Sequence, residues 1–186
     1  MQNLNIKGVR PKMNKTLKVI IISILLLSCS LALASYITKE TGFKYEAGIE
    51  IRKDNQVIEN QVFYDIPIGI IVWSSNNHII NCTFIYCSDE GIMLFGSNNT
   101  IENCVFYKCV DGVELQKSSD NVFINCRFLS NSHAGIDAIK SGNDNNKFYS
   151  CLFYDNLWGC YFKGSNDNEF IDCIFLDNKI DMENKK

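Results

Sequence analysis

Five four-residue segments recur along the chain: Asn81-Cys82-Thr83-Phe84, Asn103-Cys104-Val105-Phe106, Asn125-Cys126-Arg127-Phe128, Ser150-Cys151-Leu152-Phe153 and Asp172-Cys173-Ile174-Phe175. Their cysteines are spaced by 22, 22, 25 and 22 residues, and Asn60-Gln61-Val62-Phe63 reads as a degenerate copy 21 residues earlier. A second element recurs between them: Gly69-Ile70-Ile71-Val72, Gly91-Ile92-Met93-Leu94, Gly112-Val113-Glu114-Leu115, Gly135-Ile136-Asp137-Ala138 and Gly159-Cys160-Tyr161-Phe162. Each reads as a short strand opened by Gly after a tight turn. A hydrophobe stands three residues before each Cys: Ile79, Ile101, Phe123, Phe148 and Phe170. One period therefore holds about three short strands and three turns, without helical periodicity. Such strands must pair with their equivalents one coil away, about 4.8 Å distant.

This predicts an all-β chain, a short right-handed parallel β-helix solenoid of about six coils. Stacking turns each repeated position into a ladder: Phe84, Phe106, Phe128, Phe153 and Phe175 inside, with the cysteines beside them. A polar ladder of Asn81, Asn103, Asn125, Ser150 and Asp172 is expected to hydrogen-bond from coil to coil. The longer interval holds Ser141 to Asn146, expected as an outward loop. Stretches such as Gly91 to Asn103 resemble the parallel β-helix repeat family, which includes pectate-lyase-like enzymes and periplasmic β-helix proteins of copper-enzyme maturation. The resemblance spans residues 48–178. It implies the fold and leaves function open, because this scaffold hosts lyases, hydrolases, adhesins and binding modules.

The first 35 residues predict an export signal or membrane anchor. Arg10, Lys12, Lys15 and Lys18 precede an uncharged run from Val19 to Ile37. Met13 is an alternative start, and Ala32-Leu33-Ala34 supplies a small-x-small cleavage pattern before Ser35. The run is also long enough to cross a membrane uncleaved, and Leu26-Leu27-Ser28-Cys29 partly matches a lipoprotein box. All three readings place residues 40–186 outside the cytoplasm, secreted or anchored to the outer face of the membrane by residues 19–37. Residues 36–47 are expected to cap the solenoid, and residues 48–186 to form the β-helix domain. Lys179 to Lys186 leave the other end thinly capped. A net charge of −3, with Lys and Arg scattered, provides no field for nucleic acid.

The 9 cysteines invite a metal or disulfide reading. Cys-x-x-Cys pairs are absent and neither His78 nor His133 joins the cysteine column, so these read as small buried hydrophobes and no metal ligand is expected. Parallel side-chain vectors also suit disulfides poorly. Cys87 and Cys109 give way to Asn131, Asn156 and Asn178 in later coils, which reads as a ladder-forming turn position.

Function rests on the strand after each Gly. With Ile70/Val72 and their equivalents inward, Ile71, Met93, Glu114, Asp137 and Tyr161 point outward. Trp73, Phe95, Gln116, Ile139 and Lys163 lie beside them. A concentrated apolar wall marks an interaction surface, and rings next to carboxylates suit sugar. The expected function is a non-catalytic binding or assembly module, with Trp73, Phe95, Glu114, Asp137 and Tyr161 contacting a polysaccharide or cell-surface glycan. No cofactor is required, although Ca²⁺ is compatible with the carboxylates. The alternatives are a lyase or hydrolase using Glu114 and Asp137 as its catalytic pair, and a homo-oligomeric scaffold that self-associates through this face. Catalysis is disfavoured because Arg127 lies on a different strand and His133 reads as a solvated turn residue. Asn98-Asn99-Thr100 is a glycosylation sequon in an expected surface turn.

Overall fold

The computed structural model describes residues 46–185. They form 19 strands in three parallel sheets, wound into a solenoid of about six turns. The first sheet stacks β1 (Ala47–Ile51), β4 (Ile68–Val72), β7 (Glu90–Leu94), β10 (Asp111–Leu115), β13 (Ala134–Ala138), β16 (Trp158–Lys163) and β19 (Ile180–Lys185). The second contains β2 (Val57–Glu59), β5 (His78–Ile80), β8 (Thr100–Glu102), β11 (Val122–Ile124), β14 (Lys147–Tyr149) and β17 (Glu169–Ile171). The third contains β3 (Val62–Tyr64), β6 (Thr83–Ile85), β9 (Val105–Tyr107), β12 (Arg127–Leu129), β15 (Leu152–Tyr154) and β18 (Ile174–Leu176). Every strand pairs in parallel with its counterpart one coil away, for example Val113 with Ile92 and Ile136.

The interior is a set of ladders. Phe63, Phe84, Phe106, Phe128, Phe153 and Phe175 stack face to face with centroids 4.6–5.0 Å apart. Phe123, Phe148 and Phe170 form a second stack at 4.7 and 4.5 Å. Cys82, Cys104, Cys126 and Cys151 are buried beside them, and all eight cysteines among the described residues are free thiols. Burial pushes the thiols of Cys126 and Cys160 well above the ordinary range, keeping them neutral. The cysteine column lies in the core, where its spacing placed it.

Each coil turns three corners, each through a residue with positive φ. Asn76, Asn98, Asp120, Asn145 and Asp167 occupy one corner, Asn81, Asn103, Asn125, Ser150 and Asp172 the next, and Tyr86, Lys108, Ser130, Asp155 and Asp177 the third. Asn and Asp tolerate this left-handed region better than other non-glycine residues, which accounts for the wealth of Asn. The expected polar ladder is therefore corrected. Asn81 to Asp172 supply turn geometry on the surface; the coil-to-coil side-chain bonds within this column run from Asn81 to Asn60 at 3.5 Å and from Asn125 to Asn103 at 2.8 Å, and Asn103 also donates to Glu102 at 3.4 Å.

The continuous ladder is buried and lies elsewhere. Asn99 Oδ1 accepts from the Asn77 backbone N–H at 2.8 Å, Asn121 from Asn99 at 2.9 Å, Asn146 from Asn121 at 3.0 Å and Asn168 from Asn146 at 2.8 Å. A second run links Cys109 to Asn131, Asn156 and Asn178 in the same manner. The long interval is also tied down. Asn143 is buried and its Oδ1 accepts from Ser118 N–H at 2.8 Å, while residues 139–141 and Asn145 are exposed.

The repeated glycine is not a turn residue. Each is the second residue of its strand, so the strand begins one residue earlier, at Ile68, Glu90, Asp111, Ala134 and Trp158. A Cβ at Gly112 would lie 2.6 Å from the Gly135 carbonyl oxygen and 2.7 Å from Phe128. Glycine is required by the approach of the Phe ladder to the neighbouring backbone. The expected export segment, and the cap except for Glu46 and Ala47, lie outside the described residues; no helix among those described is long and apolar enough to cross a membrane.

Two substitutions test this account by denaturant unfolding. Gly112→Ala overpacks the column and should cost about 1–3 kcal/mol. Asn121→Ala strips the acceptor from the buried Asn99 backbone N–H and should cost about 1–3 kcal/mol for that orphaned donor.

Candidate functional site

The inward assignment of the first sheet is as its sequence suggested: Ile70, Val72, Ile92, Leu94, Val113, Leu115, Ile136, Ala138, Cys160 and Phe162 join the core. Because every strand starts one residue before its Gly, the outer face carries an additional column. Ile68, Ile71 and Met93 form a separate apolar cluster there, with Ala47 and Phe95 against it. The next coils replace these with Glu90, Asp111, Glu114 and Asp137, all buried. Glu114 stands directly opposite Asp137 on β13 and Met93 on β7, while Asp111 stands opposite Glu90 and Ala134.

His133 closes the group. Its Nδ1 lies 2.7 Å from Asp111 Oδ1 and 3.8 Å from Asp137 Oδ2. Trp158 meets the imidazole edge-on at 4.9 Å, and Ala134 N–H donates to Asp111 Oδ1 at 2.8 Å. The sequence reading left His133 as a solvated turn residue and passed over Glu90, Asp111 and Trp158. Half-buried and hydrogen-bonded, His133 belongs to the cluster. Aligning the residue before each Gly would have exposed this column.

The predicted aromatic contacts lie on the same face. Trp73 and Phe95 stack at 4.2 Å with near-parallel rings, and the Arg52 guanidinium sits 5.3 Å from the Trp73 centroid. Trp73 also donates from Nε1 to Glu50 at 3.2 Å. Phe95 and Arg52 thus both pack against the indole, which stays partly exposed. Tyr161 lies beyond the acidic group, 5.4 Å from Trp158, with Lys185 Nζ 5.5 Å from its ring. Gln116 donates to Glu114 and accepts from Lys140, a polar chain between the buried row and solvent. Asn98 of the sequon is exposed at a corner, with φ 57°. Arg127 is on the third sheet, away from these groups. Beside that sheet runs a strip the sequence reading missed, Tyr64 and Tyr107 at strand ends and Tyr86 at the corner after β6, with Lys108 Nζ 5.6 and 5.2 Å from the Tyr86 and Tyr107 rings.

Residues 24–153, more than half of the 186-residue chain, match the family described as right handed beta helix region. The chain belongs to that β-helix family. No curated protein matches it.

Burial sets the protonation of this β-helix wall. Burial, with the neighbouring Asp89 and Glu114 carboxylates, pushes Glu90 up to about 10, so it carries its proton at neutral pH. Burial, with Asp111 adding, pushes Asp137 up from 3.8 to about 7, and burial raises Asp111 and Glu114 too. Glu90 Oε2 and Asp137 Oδ1 are buried with no hydrogen-bond partner among the described residues.

An acid whose folded pKa exceeds its unfolded value binds more protons when folded, so its contribution to stability is lost as pH rises through the folded value. The chain should lose stability as pH rises from about 4, through about 7 for Asp137 and about 10 for Glu90. Asp137→Asn should flatten that decline and raise relative stability at pH 8 by about 2 kcal/mol after allowance for solvent screening. Urea unfolding across pH checks both.

Proposed function

We propose that this β-helix is an extracytoplasmic, non-catalytic module that binds polysaccharide along the outer face of its first sheet. The supporting observation is the sequence of groups along that one face: the Trp73–Phe95 pair, the Gln116–Lys140 polar chain over Glu114 and Asp137, then Tyr161 beside Trp158. Ile71 and Tyr161 lie four coils apart in one column, about 19 Å at the spacing of parallel strands, which suits an extended polymer better than a single sugar. Exposed Trp73 and Ile139 offer apolar edges, and Gln116 and Lys140 offer hydrogen bonds between them. The extracytoplasmic placement is carried by the positive-then-apolar start of the sequence.

A second reading, a glycoside-cleaving enzyme, is favoured by one observation. An Asp137 carboxyl at about 7 is partly protonated at neutral pH, as a general acid requires, and Glu114 stands opposite it.

The full chain should be retained on one or more of a panel of neutral and acidic polysaccharides without releasing reducing ends. Trp73→Ala and Tyr161→Ala should each weaken retention by roughly tenfold, the scale of losing one aromatic contact. Tyr86→Ala, at the corner beside the third sheet, should leave it unchanged. Loss confined to Tyr86→Ala would move the site to that sheet, and cleavage abolished by Asp137→Asn would establish the enzyme.

A further inference from the structure

Independently of any glycan, we propose that Asp111, His133 and Asp137 form a binding site for one transition-type divalent cation, with Zn²⁺ as the representative ion. One ligand atom from each residue lies within 4.8 Å of the others. A tetrahedral ion bound at about 2.0–2.2 Å needs donors about 3.3 Å apart, so side-chain rotation of roughly an ångström completes the set.

The second observation is the state of Asp137. It is 5 % exposed, yet its Oδ1 has no hydrogen-bond partner among the described residues while its Oδ2 lies 3.8 Å from the imidazole. A buried carboxylate oxygen without a donor is costly unless something positive meets it. Lys140 is the nearby cation that the acidic row engages, and it reaches Gln116, not Asp137. Glu90, Asp111, Glu114 and Asp137 crowd into neighbouring strands, and the His133 imidazole that approaches Asp137 Oδ2 at 3.8 Å leaves Oδ1 without a partner among the described residues.

The surroundings suit a metal site in two further ways. Ala134 N–H fixes Asp111 through Oδ1, leaving Oδ2 for an ion, and Trp158 holds the imidazole plane edge-on. Outer partners of this kind orient ligands. The His133 side chain is 35 % exposed, so an ion reaches the group from solvent. An imidazole beside two carboxylates selects a borderline ion such as Zn²⁺ over Ca²⁺, which takes oxygen ligands. The cysteine column is a different matter: its buried thiols contact backbone carbonyls inside the solenoid.

The test uses the full-length, metal-stripped chain, titrated with Zn²⁺ alone by calorimetry and with Co²⁺ by absorption. One equivalent should bind with a dissociation constant of micromolar or tighter and raise Tm, as any ligand of the folded state does. The Co²⁺ form should show visible d–d bands without thiolate charge transfer. His133→Gln and Asp137→Asn should each weaken binding roughly 100-fold, as loss of one of three ligands implies, while Cys104→Ser leaves it unchanged. Absence of Zn²⁺ binding, thiolate charge transfer, binding of Ca²⁺ alone, or affinity that survives both ligand substitutions would overturn the site. The wild-type Co²⁺ spectrum decides the ligand type even if a variant fails to fold.

Discussion

Every coil of this chain is completed by its neighbour. Strands of three to six residues have no partner within their own turn, so their N–H and C=O groups are satisfied across the coil-to-coil step. That step also sets the ring spacing of the Phe ladders, which stack nearly parallel at 4.6–5.0 Å. The buried Asn side chains exploit the same distance, each accepting from a backbone N–H one coil before. Apolar stacking and polar satisfaction therefore share one repeat, and a side chain that disturbs the step, as a Cβ at Gly112 would, disturbs both.

The constraint explains what the sequence revealed. Positions that stack on copies of themselves must repeat, and repetition is visible in a single chain. Phe84, Phe106 and Phe128 announced the interior in this way, and so did the alternation around Ile92 and Val113. Two errors came from the same source. The Asn before each Cys repeats because the corner needs a left-handed residue, and repetition alone does not distinguish that demand from a hydrogen-bonded ladder. The Gly repeats because of steric approach, but it resembled a turn, and this concealed the outward residue in front of it.

The candidate site was less legible because it does not repeat. Glu114 and Asp137 were recognised as outward from strand parity. Glu90, Asp111 and His133 became visible only when adjacent coils were superposed in register, where Asp111 faces Glu90 and contacts the imidazole. The likeness of neighbours specifies the inner columns, whereas the outer columns vary from Ile68 to Trp158 without harm to the stack. Structural and recognition information thus occupy different residues of the same strands, as Val113 and Leu115 face the core while Asp111 and Glu114 face outward.

The placement of the acidic group has a mechanical corollary. In a linear array each junction between turns carries its own cohesion, and the whole is close to the sum of those junctions. Glu90, Asp111, Glu114 and Asp137 straddle the two junctions joining β7, β10 and β13, where acidic side chains, Glu90 among them protonated, meet instead of the apolar contact found at Ile68 and Ile71. On this outer face the central seams lack the apolar cohesion of the first coils, and whatever neutralises the group would act as a rivet across them.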